Sequence, residues 1–286
     1  MRFQWIDQQR EQFEVAIMCE VLQVSRSGYY AWVDRPPSAS EQRRKEQIEA
    51  IHAAHEASFG TYGSPRIHAE LAGKKIEVCV NTVAKLMKQA QIRSVMHRKF
   101  IVRTTDSNHD LPVAPNLLER RFAAELPDQK WCCDITYIPT GQGFLYLAAV
   151  LDLCSRRIVG WSMADHLRSE LCLDALEMAI KSRRPGGDLI HHSDRGVQYA
   201  SSDYRRLLQS QNVTVSMSRT GDCYDNAAME SFWGTLKTEW VHHRDYPTNE
   251  EARQSIFWYI ECWYNRRRRH SAIGYKSPEQ FEASLN

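Results

Sequence analysis

The sequence has no apolar run long enough to cross a membrane as a helix. Its longest apolar stretch, LYLAAVLDLC, begins at Leu145, contains Asp152 and is shorter than the roughly 20 residues that a spanning helix needs. The first residues, MRFQWIDQQREQFE, lack the basic and then apolar layout of a secretory signal. We therefore expect a protein of the cytoplasm that has no association with a membrane.

Paired cysteines are absent as well. The eight cysteines are irregularly spaced and form no CxxC motif, which argues against a disulfide framework and against a structural zinc site. His52 and His55 form an HxxH pattern, but no paired cysteines follow them, so we expect no zinc there. The sequence also lacks internal repeats and leucine heptads, so neither a repeat architecture nor a coiled coil is expected.

Charge of one sign does not dominate the chain, whose formal net charge is only +2. Lys and Arg nevertheless outnumber Asp and Glu by fifteen to nine from Arg35 to Arg121, and are outnumbered by twelve to fourteen from Asp128 to Trp240. A basic segment that binds phosphates, next to a segment whose carboxylates hold metal, is what a DNA-handling enzyme can show. A solvated basic face gives the same pattern, so charge alone does not establish DNA binding.

A chain of 286 residues can hold two domains. Its amino-terminal part is predicted to be helical. Residues 1–34 form a helical segment that a PPSAS linker follows. Residues 35–112 then contain a helix over about 41–56, a short helix over about 65–71 and a turn through Gly73. A basic amphipathic helix follows, in which Lys85 and Lys88 face outward, and this order predicts a helix-turn-helix. An ordinary αα-hairpin remains the alternative. The tail RSVMHRKFIVR adds the candidate DNA contacts Arg98 and Lys99.

From Trp131 the pattern changes to strands and helices in alternation. WCCDITYI, FLYLAAVLDL and RRIVGWSM predict three meandering strands, and a helix follows over Ser169 to Ser182. DLIHHSD and VTVSMS predict two further strands on either side of a short helix. This order predicts an α/β domain over residues 121–286, with a mixed five-stranded sheet in an RNase H-like arrangement. In that arrangement the first and fourth strands lie side by side, and a helical extension follows.

Three acids occupy positions that this fold would bring together. Asp134 lies within the first strand, Asp194 ends the fourth strand, and Glu230 lies on the apolar side of a later helix. Ligands gather at the carboxyl ends of strands in open α/β sheets. Carboxylates suit Mg²⁺ or Mn²⁺, and two such ions about 4 Å apart support phosphodiester displacement. Metal would also compensate the cost of burying Glu230. Taken alone, a strand-end aspartate is more often a cap or a turn residue, and a helical glutamate is more often half of a solvated ion pair. The joint placement of the three acids is harder to explain in this way.

Several blocks resemble a known family. WCCDITYI, LDLCSRRIVGWS, HHSDRGVQY, GDCYDNAAMESFWGTLK and YNRRRRHSAIGYKSPEQF resemble the second-frame, OrfB-type transposases of the bacterial insertion-sequence family numbered three. VSRSGYYAW and YGSPRIHAEL match the helical region upstream of the catalytic part in these proteins. The resemblance covers nearly the whole chain, and 35 residues separate Asp194 from Glu230, as the Asp, Asp, 35-residue gap, Glu pattern requires.

The resemblance implies an integrase-like DDE catalytic core and a magnesium-dependent DNA transposase. It makes Asp134, Asp194 and Glu230 the catalytic and metal-binding residues, and Lys237 a basic residue that could reach a DNA phosphate. Water would attack a transposon-end phosphodiester, and the freed 3′-hydroxyl would then attack another phosphodiester, first giving a circular intermediate. The family also implies a first-frame, OrfA-type partner or a fusion with it, oligomers on DNA, and a place at the nucleoid.

Other residues receive weaker predictions. Asn226 is expected to cap a helix, with the orientation of a ligand as the alternative, and Asp222 and Asp225 are expected to shape a turn. Trp233 is expected to pack in the core, with base stacking as the alternative. His192 could touch substrate or be a buried strand histidine, and Asp152 is a weak fourth acid. The basic cluster RRRRH offers Arg267 and Arg268 as DNA contacts, with a solvated face as the alternative. Two rivals remain open at this point: an RNase H-fold nuclease without strand transfer, and a DNA-binding regulator without catalysis.

Overall fold

The computed structural model describes residues 1–95, 113–219 and 223–285, and the backbone only at residues 223 and 224. The chain divides into two compact units, Met1–Ala53 and Ala54–Asn286. No helix in the described ranges has the length and the apolar character that crossing a membrane requires. The predicted functional regions 1–34, 35–112 and 121–286 stay predictions. Of the predicted DNA contacts, Arg98 and Lys99 lie outside the described residues, as does Asp222.

The α-helices and β-strands follow one another in an order that separates a helical first part from a mixed second part. In chain order they are α1 (Arg2–Gln9), α2 (Val15–Val21), α3 (Arg26–Val33), α4 (Ala39–Ala57), α5 (Ser64–Gly73), α6 (Val80–Gln89), β1 (Lys130–Thr140), β2 (Gly143–Asp152), β3 (Ile158–Ala164), α7 (Ser169–Arg183), β4 (Ile190–Ser193), α8 (Ser202–Ser210), β5 (Thr214–Met217), α9 (Ala227–Glu239), α10 (Asn249–Trp258) and α11 (Pro278–Ala283).

Helices α1 to α3 form the small core of the first unit. Ile6, Met18, Cys19 and Tyr29 are its buried residues, so one apolar residue or pair from each helix meets at the centre. Helix α3 begins where the Ser25 side chain accepts a hydrogen bond from a backbone N–H in the first turn, which is the usual role of serine at this position. Three short helices therefore stand where the sequence predicted a single helical segment.

Helices α5 and α6 form the predicted helix-turn-helix pair of the second unit. Pro65 occupies the first turn of α5, where its missing N–H costs nothing. In α6 an apolar face that includes Val83 and Leu86 is buried, while Lys85 and Lys88 are exposed. The 3.6-residue spacing of apolar positions sets this orientation, which confirms that the two lysines face outward.

The sheet has the strand order β3-β2-β1-β4-β5. Strands β1 to β3 form an antiparallel meander, and β1, β4 and β5 are parallel neighbours. Parallel neighbours require crossover connections, and helices α7 and α8 supply them. The five predicted strands, and the placement of the first beside the fourth, are confirmed.

The main core lies between the sheet and helices α7 and α8. Trp131, Cys133 and Ile135 point into it from β1, together with side chains from both helices. Helix α7 approaches β3 so closely that a Cβ on Gly160 would stand 2.2 Å from the Ala175 carbonyl oxygen, so only glycine fits there. Since side chains alternate along a strand, Asp134 points to the opposite face of the sheet, where helix α9 packs.

The predicted long carboxyl-terminal helix is composite. Helix α10 continues into one wider, π-helical turn over Tyr259–Tyr264, and the helix ends before the arginine cluster. The next residue, Asn265, uses its side-chain amide to bind both the N–H and the C=O of Ile158, each at 2.9 Å. This pair of bonds ties the end of the helix to the first residue of β3.

Candidate active site

The parallel pairing of β1 with β4 brings Asp134 and Asp194 together. Cys132 is the partner of His192, Asp134 lies two residues further along β1, and Asp194 directly follows the end of β4. Neighbouring strands are about 4.8 Å apart, so the two segments lie side by side here, and the charge of Asp194 contributes to the raised pKa of Asp134. The sheet register therefore creates the predicted juxtaposition, although 59 residues separate the two acids in the sequence.

A tight turn orients the carboxylate of Asp194. Its Oδ1 accepts a hydrogen bond from the Gly196 backbone N–H at 2.9 Å. A Cβ on Gly196 would stand 3.0 Å from that same oxygen, so a larger residue would crowd the carboxylate. The Arg195 side chain donates from Nε to the Ser218 carbonyl at 2.7 Å, which links this turn to the end of β5. The Asp-x-Gly sequence is a known turn pattern, so it could have indicated this role.

Glu230 lies in the first turn of α9, but its side chain is exposed. The prediction that it lies on the apolar side of the helix is wrong. Met229, Phe232, Trp233 and Leu236 form the buried face, and Glu230 lies at the edge of that face. Partial desolvation still raises the pKa of the Glu230 carboxyl. A carboxylate in the first turn also interacts favourably with the helix dipole, so this position needs no buried counter-charge.

The electrostatics of the site are dominated by like charges around Asp134. Burial, then the Asp194 charge and, more weakly, Glu230 raise the pKa of Asp134 to about 8, although the Ile135 N–H and the Trp233 side chain oppose the rise. Asp134 is half-buried. Because burial and the charges of Asp194 and Glu230 disfavour the ionised form of Asp134, a cation at this position would stabilise that form.

The donor set fits a hard divalent cation, because all three side chains offer carboxylate oxygens and no thiolate. Within the residues that the structure describes, no three acidic, histidine or cysteine side chains already converge on one point. Glu230 is exposed on α9, and its charge contributes less to the raised pKa of Asp134 than that of Asp194 does.

Trp233 is the residue whose role the sequence did not reveal. It is only 6% exposed, as its predicted place in the core requires, yet its indole N–H also donates to Asp134 Oδ2 at 2.9 Å. The bond fixes one oxygen of the carboxylate and leaves the other oxygen directed elsewhere. Its position three residues after Glu230, on the same helix, was the available clue.

Lys237 is buried and lies inside the site. Its Nζ stands 5.0 Å from the centre of the Tyr137 ring, within reach of a cation–π interaction. Burial lowers the pKa of Lys237, and the nearby Asp134 carboxylate opposes that change. The spacing of seven residues does place Lys237 on the same side of the helix as Glu230, but with much less exposure.

Asn226 does not cap α9 with its side chain, so the predicted capping is wrong. Its side-chain N–H instead donates to the Cys133 carbonyl at 3.2 Å, which joins the start of α9 to β1 beside Asp134. Asp225 is more than a turn residue, because its buried carboxylate accepts from Asn116 at 2.8 Å and from the Arg219 N–H at 2.9 Å. Burial would raise the pKa of Asp225, but Arg219 and Arg120 hold it low.

The remaining candidates are structural. His192 is fully buried, and its Nδ1 lies 2.8 Å from the Ser216 hydroxyl, so it does not face a substrate. Burial lowers the pKa of His192 to about 4, which keeps the ring neutral. Asp152 accepts from the backbone N–H groups of Asp128 and Ser155, both at 2.7 Å, and its pairing with Trp131 places it at the start of β1, three residues before Asp134. It is therefore not a fourth acid of the site.

The two predicted arginine contacts have different surroundings. Arg267 is exposed, whereas Arg268 is 3% exposed and donates to both oxygens of Glu239 at 2.7 and 2.6 Å. The prediction that Arg268 contacts DNA is contradicted, because its guanidinium is committed to an interior ion pair. The sequence of four consecutive arginines does not show that Arg268 is buried and Arg267 exposed, because only the tertiary structure decides which arginine points inward.

Comparison with known proteins agrees with this architecture. Models of the "Integrase core domain" match residues 124–223 and 211–278, and a model of the "HTH-like domain" matches residues 42–100. The transposase InsF for insertion sequence IS3A of Escherichia coli K12 is 43% identical over 284 residues, covering 99% of this chain and 98% of that protein. An uncharacterized 31 kDa protein of insertion element IS600 from Shigella sonnei is 47% identical, covering 92% of this chain and 97% of its own.

More distant similarity exists among solved structures. An intasome of simian T-cell lymphotropic virus, solved with the PP2A regulatory subunit B56 gamma, aligns with a TM-score of 0.47 and 16% identity over 77% of this chain and 74% of that chain. The HTLV-2 integrase catalytic core domain in complex with magnesium aligns with a TM-score of 0.44 and 16% identity over 56% of this chain and 99% of its own.

Near full-length similarity to InsF, the integrase core models and the five-stranded sheet all agree. The α/β, RNase H-like catalytic core preceded by helix-turn-helix elements is therefore the fold of this chain. The sequence resemblance noted at the outset is confirmed. The chain belongs to the IS3 family of insertion-sequence transposases.

Proposed function

We propose that Asp134, Asp194 and Glu230 are the catalytic residues with which this transposase cleaves transposon ends and transfers the freed strand. The observation that carries this proposal is that Asp134 on β1 lies beside Asp194, which directly follows the neighbouring parallel strand β4. Glu230 supports it, because its charge contributes to the raised pKa of Asp134. Perturbed acids that cluster at the end of a sheet are typical of functional sites.

The same three carboxylates are the proposed ligands of two Mg²⁺ or Mn²⁺ ions. When bound, such ions activate an attacking oxygen and stabilise a leaving oxygen in phosphodiester displacement. The chain's own contribution is to hold the donors in place. Gly196 orients Asp194, Trp233 orients Asp134, and the Asn226 contact fixes the start of the helix that carries Glu230.

Cleavage and joining would then occur as two in-line displacements at one site. Water attacks a phosphodiester at the transposon end, a P–O bond forms and the bond to the 3′-oxygen breaks. The 3′-hydroxyl that is released then loses its proton and attacks a second phosphodiester, so that a new P–O bond forms while the bond from that phosphorus to its own 3′-oxygen breaks. The leaving 3′-oxygen takes up a proton and remains as the 3′-hydroxyl end of the cut strand. Lys237 lies close enough to Asp134 to favour phosphate at this position, since it provides a positive charge beside the carboxylates.

DNA contact outside the active site is proposed for the exposed lysines of α6, Lys85 and Lys88, and for Arg267. Arg98 and Lys99 extend the same basic region of residues 35–112. An OrfA-type first-frame protein, or a fusion with it, is the proposed partner that completes recognition of the terminal repeats, with homo-oligomers forming on DNA. Such a protein would act at the bacterial nucleoid, in the cytoplasm.

A strand-transfer assay tests the proposal. Labelled transposon-end DNA is incubated with Mg²⁺ and the full chain, with and without the first-frame protein. We expect both cleavage and joined products from the natural chain, and neither product from Asp194→Asn or Glu230→Gln. Each of these variants keeps the shape of its side chain and removes one negative charge, and each should still bind DNA in a mobility-shift measurement.

The rivals give different results in the same assay. Cleavage without joined products would indicate a nuclease of the same fold. Transposition that survives Asp194→Asn and Glu230→Gln, but not Lys85→Ala with Lys88→Ala, would indicate a regulator that acts by binding alone. Membership in a transposase family favours joined products.

A further inference from the structure

Helix α5 is fastened to the catalytic core by two ion pairs and a hydrogen bond. Arg66 of α5 donates to Glu239 at 3.2 Å, and Arg269 donates to Glu70 of α5 at 2.6 Å. The backbone N–H of Arg269 also donates to the Tyr62 hydroxyl at 2.7 Å, just before α5 begins. The contacts are close, since a Cβ on Gly73 would stand 3.2 Å from the Arg269 guanidinium.

Glu239 is the centre of this interface. It accepts two hydrogen bonds from the buried Arg268 and a third from Arg66, while the Tyr259 hydroxyl lies 3.4 Å away. A carboxylate that is 8% exposed and paired with two guanidinium groups is expensive to separate from either one. The pairs therefore hold one geometry more firmly than surface ion pairs would.

An aromatic cluster surrounds the ion pairs. The Phe59 ring meets the rings of Trp240, Trp258 and Trp263 edge-on, with centroids 5.3, 5.5 and 5.1 Å apart. Tyr62 adds a further contact with Trp263 at 5.9 Å. Aromatic pairs in such geometries contribute beyond their buried area, and each ring has few ways to rearrange. The segment that leads into α5 is thus packed against the helices that follow α9.

Helix α9 connects this interface to the active site. Glu230 lies in its first turn and Glu239 is its last residue, about 13 Å further along the same rigid element. We propose that α9, with its Glu239–Arg66 contact and the neighbouring Arg269–Glu70 pair, is a positioning strut that sets the distance between DNA held by α6 and the catalytic carboxylates. This inference rests on the proposed function of both sites.

The strut would determine where the DNA is cut. Helix α6 follows α5 after one short turn. A change in the position of α5 on the catalytic core therefore moves the exposed lysines of α6 relative to Asp134. Displacement of bound substrate by about 1 Å can cost on the order of 100-fold in rate without weakening binding. Arg66, Glu70, Glu239 and Arg269 are therefore positioning residues and do not touch the reacting atoms.

The test uses the full chain and labelled transposon-end DNA. Glu70→Arg places two arginines against each other, and Glu70→Arg with Arg269→Glu restores an opposite pair. We expect Glu70→Arg to bind the end DNA with an affinity within about twofold of the natural chain, but to cleave it about 10- to 100-fold more slowly per bound complex. Cuts displaced from the natural nucleotide should appear, and the double variant should recover a large part of the rate and the natural cut position.

A milder variant and a control keep the result interpretable. Glu70→Gln removes only the charge and should shift the cut position in the same direction as Glu70→Arg. It replaces Glu70→Arg in the test if thermal melting shows that Glu70→Arg does not fold. Arg206→Ala removes an exposed arginine that pairs with its neighbour Asp203 on α8, and should change neither the rate nor the cut position. Unchanged rate and cut position in folded Glu70→Arg and Glu70→Gln would overturn the strut. Absence of end-specific cleavage by the natural chain would instead overturn the proposed function.

Discussion

The indole N–H of Trp233 donates to Oδ2 of Asp134 at 2.9 Å, across the contact between α9 and β1. A neutral donor that binds one oxygen of a carboxylate restricts the rotation of the group. Loss of such a partner from a metal site typically costs about 10- to 100-fold in metal affinity or activity. The same helix thus carries one acid of the site and the side chain that orients another.

Trp233→Phe should reduce metal-dependent cleavage by about 10-fold or more, because the ring is kept while the donor is lost. The concentration of Mn²⁺ at half-maximal activity should rise, and calorimetric titration with Mn²⁺ should show weaker binding. Trp161→Phe is the matched control, since Trp161 also donates its indole N–H to a carboxylate, that of Glu261, at 2.8 Å. Equal loss of metal affinity in both variants would contradict the role of Trp233.

Asp134→Asn should stabilise the metal-free protein at alkaline pH. Burial and Asp194 raise the pKa of Asp134 to about 8, so the folded state keeps a proton that the unfolded chain releases near pH 4. Stability is therefore lost as the pH rises through this window. The gain should be on the order of 1 kcal/mol, because solvent around the half-buried group screens the repulsion.

Urea unfolding in EDTA, at about pH 6 and about pH 8.5, measures this effect. The natural chain should lose more stability between the two pH values than Asp134→Asn does. The comparison is made between variants because buried cysteines, whose raised pKa values also favour folding at lower pH, are common to both. An equal loss of unfolding free energy between the two pH values in both proteins would contradict the raised pKa of Asp134. Activity should be lost in the variant at every pH.

Arg268→Ala and Arg267→Ala should have opposite consequences. Removal of the buried Arg268 leaves the buried Glu239 carboxylate with the partly exposed Arg66 as its remaining ion-pair partner and should cost about 3–5 kcal/mol of unfolding free energy. Removal of the exposed Arg267 should change stability by less than about 0.5 kcal/mol but weaken DNA binding. Chemical denaturation and a mobility-shift assay separate the two. A stable, DNA-defective Arg268→Ala would restore the original prediction for that residue.

Lys85→Ala and Lys88→Ala should each weaken DNA binding without altering the fold. Both side chains are exposed on α6, opposite its buried apolar face. If each lysine contacts one phosphate, each substitution should reduce the slope of log affinity against log salt by about 1. Gln89→Ala, an exposed uncharged neighbour on the same helix, is the control and should leave the slope unchanged. An unaltered slope in the lysine variants would remove α6 from the DNA interface.

The order of elements in the catalytic core followed directly from the sequence. Strand and helix periodicities are local properties, so the five strands and α7 could be read from the spacing of apolar residues. Asp134 and Asp194 could be paired because a parallel neighbour relation follows from the element order. The outward face of α6 was predictable for the same reason, since Val83 and Leu86 define its buried side.

Orientation of individual side chains was less predictable. Glu230 has apolar neighbours in the sequence, yet it lies at the edge of the buried face of α9. At such an edge, a small rotation of the helix about its axis decides whether a side chain is buried or exposed. Asn226 has the composition of a helix cap, but the nearby carbonyl of Cys133 offered its amide a better partner. For Asn226, a residue from a distant strand decided the outcome.

By itself, the sequence determined the family, the order of the strands and the three acids, because motif spacing and periodicity are written along the chain. Only the tertiary structure decided that Trp233 binds Asp134, that Lys237 is buried beside the acids, and that Arg268 belongs to the interior while Arg267 does not. The physical reason is that hydrogen bonds and ion pairs depend on distances of about 3 Å between residues far apart in sequence. Such distances exist only after the sheet and α9 have packed together.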